Sequence, residues 1–148
     1  MAELARIAAS ELIVGGQKSG KTVEEPLELA AAIALHSDAQ TLVIVDCLTL
    51  WLTNWLMPAP ELKKNQAVAL SERAQAAIKS IATAEAVAAM PGPLIWVSNE
   101  IGLGVIPLGR KTREFVDALG SLNQAVAQRC ERVTFMAADL AVYLKGAP

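Results

Sequence analysis

The sequence predicts an α/β fold built on a mainly parallel sheet, and three observations predict it. Short apolar or β-branched runs at Glu11–Val14, Thr41–Val45 and Leu94–Ser98 alternate with longer Ala- and Leu-rich stretches, the order expected of strands alternating with helices. Hydrophobic residues make up 53% of the chain and aromatic residues only 4%, so the core is built from Ala, Leu, Val and Ile, as in helices packed on a parallel sheet. The 148 residues suffice for one domain, spanning 1–148, that would bury roughly 68–70% of the surface its unfolded form exposes.

Each element follows from local composition. Glu11-Leu12-Ile13-Val14 stops at Gly15-Gly16 and reads as a buried, central first strand. Pro26 to Leu35 is rich in helix formers, and the run from Thr41 closes on the carboxylate of Asp46. Thr49 to Leu56 reads as a short helix. Pro58 and Pro60 then punctuate the chain before a long Ala-rich helical stretch, Glu61 to Ala89, as one helix or a broken one. Pro91-Gly92-Pro93 precedes the Leu94–Ser98 strand, and Asn99 to Gly109 is a Gly- and Pro-containing loop of the kind that carries function at strand C-termini. Phe115, Val116, Leu119, Leu122 and Val126 recur near helical spacing between Thr112 and Cys130, and Val133–Met136 and Ala141–Leu144 read as closing strands.

Charge and cysteine usage exclude several functional classes. Thirteen basic against fifteen acidic side chains give a formal net charge of −2, which argues against a broad nucleic-acid or anionic-membrane footprint. Cys47 and Cys130 lie far apart with no C-x-x-C or C-x-x-H spacing, so neither a disulfide framework nor a zinc site is indicated and a reducing compartment fits. The N-terminus lacks an apolar leader core, and no run reaches the ~18 apolar residues of a membrane span. A cytoplasmic protein with a small-molecule or protein partner is expected.

Gly15-Gly16-Gln17-Lys18-Ser19-Gly20-Lys21-Thr22 fits G-x-x-x-x-G-K-[ST] in full behind the first expected strand. Glycines let consecutive N–H groups turn inward on phosphate oxygens, Lys21 adds a cation for the β- and γ-phosphates, and the Thr22 hydroxyl can ligate Mg²⁺. Asp46 suits a carboxylate holding Mg²⁺ directly or through water; its alternative role is to cap the following helix. The chain therefore reads as a P-loop nucleotide-binding protein, with Lys21 and Asp46 as the catalytic candidates.

Three further segments resemble the bifunctional adenosylcobinamide kinase and adenosylcobinamide-phosphate guanylyltransferase family. They are Val45-Asp46-Cys47-Leu48-Thr49-Leu50-Trp51-Leu52-Thr53-Asn54, the loop Asn99-Glu100-Ile101-Gly102-Leu103-Gly104 with Pro107 shortly after, and the Arg113-x-Phe115-x-Asp117 and Gly120-x-x-Asn123-Gln124 stretch. The resemblance implies a sheet related to RecA-type ATPases, a homo-oligomer (typically a trimer), and two reactions. A nucleoside triphosphate, GTP or ATP, phosphorylates adenosylcobinamide, and GMP is then transferred from GTP to that phosphate through a GMP-histidine. By the same resemblance Gly15 to Thr22, Asp46 and Glu24 match nucleotide-binding positions.

Other residues keep two readings each. Asn99 and Glu100 suit substrate or metal orientation, or an ordinary turn. Arg113 suits a phosphate contact or a solvated helix charge. Trp51 and Trp55, four apart on one helix face, suit core or subunit packing more than a corrin platform. Pro26 conflicts with a P-loop helix continuing past Lys21, because an interior proline removes a helix bond and clashes, at a cost of ~3 kcal/mol. The chain should therefore be interrupted or sharply redirected between Lys21 and Pro26, with Pro26 opening a separate helix. The family places several dozen residues at that point, including its guanylylated histidine, and they have no counterpart here. The single histidine, His36, lies after the Glu24 match and reads as a solvated side chain near a helix C-terminus. Two other functions fit the same residues: another small P-loop NTPase or kinase, and a nucleotide-binding oligomer without guanylyl-transfer chemistry.

Overall fold

The computed structural model of the chain describes residues 2–6, 20, 22–57, 69–82, 91–104 and 107–146. Its elements in order are β1 (Ala2–Arg6), α1 (Leu29–His36), β2 (Val43–Val45), α2 (Leu48–Leu56), α3 (Leu70–Ala82), β3 (Leu94–Val97), α4 (Arg110–Arg129), β4 (Arg132–Ala137) and β5 (Leu140–Lys145), with a 3₁₀ turn at Ile101–Leu103 between β3 and α4. The five strands lie in the order β2-β3-β1-β4-β5. β1 runs parallel to both β3 and β4, β2 runs parallel to β3, and only the edge strand β5 is antiparallel. The expected α/β class with a mainly parallel sheet is what the chain adopts.

The sheet register assigns its faces. Val43 pairs with Leu94 and Val45 with Trp96, so these side chains share a face, and Val45, Leu94, Trp96 and Val133 are buried in one cluster with residues of α1, α2, α3 and α4. Ile44, one step out of that register, remains 43% exposed on the other face. The main helical contribution is α4, whose Phe115, Ala118, Leu119, Leu122, Asn123 and Val126 are buried, a stripe at the spacing of one helix face. Val116, expected in that stripe, is only half-buried, and Ala118 and Asn123 take part in it instead.

Two expectations need correction. The helix placed at Pro26–Leu35 starts at Leu29, because the Glu25 carboxylate accepts hydrogen bonds from the backbone N–H groups of Leu27 and Glu28, at 3.0 and 2.8 Å, and closes a turn over Pro26. Those two donors, Leu27 first, hold the Glu25 carboxyl below the ordinary glutamate range; the turn is thus supported above that range and released as pH falls through the lowered value. Residues 22–25 are irregular, so no helix runs from Thr22 into α1, in keeping with Pro26 lying at a junction; Lys21 itself lies outside the described residues. The second correction concerns the sheet centre, which Ala2–Arg6 occupies. That segment has no strong strand pattern of its own, and parallel neighbours on both sides supply its backbone partners. The strand expected at Glu11–Val14 lies outside the described residues, as do 58–68 and 83–90 of the long Ala-rich stretch, of which α3 is the described part.

The β4–β5 hairpin turns on Ala138 and Asp139, whose φ angles are +50° and +60°, the backbone of a two-residue turn that favours Asn-Gly. A left-handed Ala costs roughly 1–2 kcal/mol. Ala138→Asn combined with Asp139→Gly should therefore stabilise the protein by ~1 kcal/mol and raise its thermal midpoint by ~2–4 °C. A lowered midpoint in calorimetry would contradict this account of the turn.

Candidate functional site

Because the first four strands are parallel, their C-terminal ends share one edge of the sheet, where ligands of open α/β sheets bind. β2 ends at Val45 and delivers Asp46, which is exposed; β3 ends at Val97 and delivers Ser98, Asn99 and Glu100. With Val45 opposite Trp96, these two exits are neighbours. The structure thus brings Asp46 together with Asn99 and Glu100, a pair far from it in sequence.

A side-chain network fixes these exits. Thr49 Oγ1, in the first turn of α2, accepts from the Asn99 backbone N–H at 3.2 Å and from Asn99 Nδ2 at 3.1 Å. From the α4 side, Asn123 Oδ1 accepts from Ser98 Oγ at 2.6 Å and Asn123 Nδ2 donates to the Asn99 carbonyl at 3.1 Å. Ser98 is fully buried and Asn123 nearly so, and buried polar groups are tolerated when they are hydrogen-bonded in this way.

The helix α2 also reaches back to the junction that follows the phosphate motif. Trp51 Nε1 and Trp55 Nε1 both donate to the Leu27 carbonyl, at 3.0 and 3.3 Å, and their rings meet edge-on with centroids 5.9 Å apart. The tryptophan pair is therefore a packing and tethering element, one of the roles expected of it. Thr49 and the two tryptophans make α2 the bridge between the β3 exit and the segment downstream of the motif.

The remaining site candidates fall elsewhere. Gly15, Gly16, Gln17, Lys18, Ser19 and Lys21 lie outside the described residues, while Gly20, Thr22 and Glu24 are exposed in irregular chain. Arg113 does not join the network: its Nη1 donates to the carbonyls of Pro107 and Leu108, at 3.2 and 2.9 Å, and pins the loop ahead of α4. His36 is the last residue of α1, and the turn that follows it packs beneath the start of β3. The Asp38 and Thr41 carbonyls lie so close to Gly92 that a Cβ there would meet them at 2.0 and 2.8 Å, and Val43 N–H donates to the Pro93 carbonyl at 3.0 Å. That places His36 toward the N-terminal edge of the sheet, opposite the end that carries Asp46. Neither Cys47 nor Cys130 is in a disulfide. Among the described residues no three His, Cys, Asp or Glu side chains gather as a metal site, and no helix is long and apolar enough to cross a membrane.

Thr49 and Asn123 stand inside the family-like segments, but neither they nor Ser98 is assigned a site role from the sequence. A second signal is Asn123 itself, a polar residue on the apolar face of α4, four positions beyond Leu119.

An open, largely parallel α/β domain with polar residues gathered at its strand C-termini is the class that this architecture defines. Comparison with known proteins narrows it. The family model of cobinamide kinase / cobinamide phosphate guanyltransferase matches residues 17–144. The bifunctional adenosylcobalamin biosynthesis protein CobP of Pseudomonas aeruginosa is 46% identical over 129 residues, covering 86% of this chain and 67% of that protein. The corresponding protein CobU of Escherichia coli is 27% identical over 136 residues, covering 88% of this chain and 73% of its own length. The chain belongs to the cobinamide kinase / cobinamide phosphate guanyltransferase family of enzymes.

Proposed function

We propose that the chain is a cytoplasmic, homo-oligomeric, RecA-like P-loop enzyme, a trimer by its family resemblance, that phosphorylates adenosylcobinamide with GTP or ATP and transfers GMP from GTP to the product. The observation that carries the reading is the family match from residue 17 to 144, which begins inside the Gly15–Thr22 motif and runs through Asp46 and Asn99–Glu100. In this reading Gly15 to Thr22 cradle the triphosphate, Lys21 neutralises developing charge on the transferred phosphoryl group, and Glu24 lies at the nucleotide. Thr22 and Asp46 would hold Mg²⁺, which neutralises phosphate charge when bound. Their exposed oxygens suit an ion that takes most of its ligands from phosphate and water. Asn99 and Glu100 orient substrate at the strand edge, and Arg113 holds the adjoining loop.

The test is turnover by the purified chain with Mg²⁺, each triphosphate and adenosylcobinamide, followed by mass spectrometry of the corrinoid. A gain of phosphate is expected of this chain, and a further gain of GMP only of a form that also carries the family's guanylylated histidine. Triphosphate hydrolysis indifferent to corrinoid would favour a general NTPase, and nucleotide binding without turnover would favour a binding oligomer.

A GMP-histidine intermediate needs an imidazole nitrogen in line with the GTP α-phosphorus. His36 is separated from the C-terminal edge by α1, eight residues or ~12 Å of helix. Incubation with α-labelled GTP should therefore leave no acid-labile GMP on the chain as it stands, and label mapped to His36 would overturn this placement of the site.

A further inference from the structure

We propose that Thr49 is a positioning residue for phosphoryl transfer, fixing the Asn99–Glu100 corner relative to Asp46 through its hydroxyl, with Asn123 as the counterpart on α4. The inference rests on the nucleotide-site reading given above. Asn99 and Glu100 lie just past the end of β3, where ladder hydrogen bonds no longer dictate backbone direction. Side chains supply that direction instead. Thr49 Oγ1 accepts both the Asn99 main-chain N–H and its side-chain amide, which sets the backbone and the rotamer of one residue from a single atom. Asn123 accepts the Ser98 hydroxyl and donates to the Asn99 carbonyl, so the residue before and the residue itself are held from α4 as well.

Packing alone does not require these groups. Valine would fill the volume of Thr49 and leucine that of Asn123 without the desolvation cost of a partly buried hydroxyl or a buried amide. What the polar groups add is direction, since hydrogen bonds demand alignment that apolar contacts do not. Thr49 stands only three residues beyond Asp46, on the helix that Asp46 leads into. Its bond to Asn99 therefore ties the two strand exits to each other, and the separation of Asp46 and Glu100 is set at Thr49.

The experiment compares Thr49→Val, which keeps shape and loses the acceptor, with Thr49→Ser, which keeps the acceptor. Both are full chains assayed for corrinoid phosphorylation, thermal midpoint and amide hydrogen exchange over residues 98–104. Thr49→Val should lower kcat by ~10- to 100-fold, the effect of a misplacement of about 1 Å, leave the triphosphate KM within about 2-fold, and speed exchange at Asn99. Thr49→Ser should restore kcat and exchange to near the parent values. Wild-type kcat in Thr49→Val, equal losses in the two variants, or a loss that merely follows a lower folded fraction would overturn the proposal while leaving the enzyme reading intact. A parent protein that transfers no phosphate to corrinoid would overturn both.

Discussion

Lys21→Ala should lower triphosphate affinity by ~10- to 100-fold, since a charge-assisted contact contributes roughly 1.5–3 kcal/mol and each 1.4 kcal/mol is tenfold in affinity. The lysine completes Gly15–Thr22 as the one mobile cation that the motif directs at the β- and γ-phosphates. The fold should be spared, because Gly20 and Thr22 on either side are exposed and contribute nothing to the core. Fluorescent-nucleotide titration of the two proteins, with circular dichroism as the control for folding, decides it. Unchanged affinity would sink the P-loop assignment. Lys21→Arg should recover little, since a planar guanidinium does not replace a compact ammonium in a tight phosphate cradle.

Leu122→Ala should cost about 3–4 kcal/mol of stability, within the roughly 2–5 kcal/mol observed when a leucine is deleted from a well-packed core. Leu122 is 0% exposed on α4, and its neighbour Asn123 is held by bonds to Ser98 and Asn99, so the helix is not free to shift and refill the space. Urea unfolding should show a lower midpoint at an unchanged slope. Leu108→Ala is the matched control: Leu108 is 96% exposed, and its loss should change stability by no more than ~0.5 kcal/mol. A Leu122→Ala penalty below ~1 kcal/mol would mean that α4 is not the pillar described.

Elements whose information is local were legible in the sequence. Leu94–Val97 is a short apolar run bounded by Pro93, and α4 repeats its apolar residues at helical spacing over 20 residues. Pro26 announced the break after the phosphate motif, because its ring is incompatible with a continuing helix. Its exact role was not legible, since the start of α1 at Leu29 depends on which donors the Glu25 carboxylate captures. β1 was missed for a different reason. The Ala2–Arg6 segment has weak strand character alone, and its position is set by partners about 90 and 130 residues away along the chain. The site shows the same division. Asp46, Asn99 and Glu100 stood out as polar residues at strand ends, but Thr49 and Asn123 acquire a role only when α2 and α4 converge on β3.

The shared acceptor at Leu27 gives the protein a built-in optical gauge. The chain has three tryptophans, of which Trp96 sits in the core, 2% exposed, and contributes a steady background. The other two direct their indole N–H groups at one carbonyl on the stretch that leads away from the phosphate motif. Indole emission responds to hydrogen bonding and polarity at that nitrogen, so any ligand that draws the Leu27 segment toward or away from α2 changes both emitters at once. Ordinary ultraviolet fluorescence, with no dye attached, thereby follows that junction in real time.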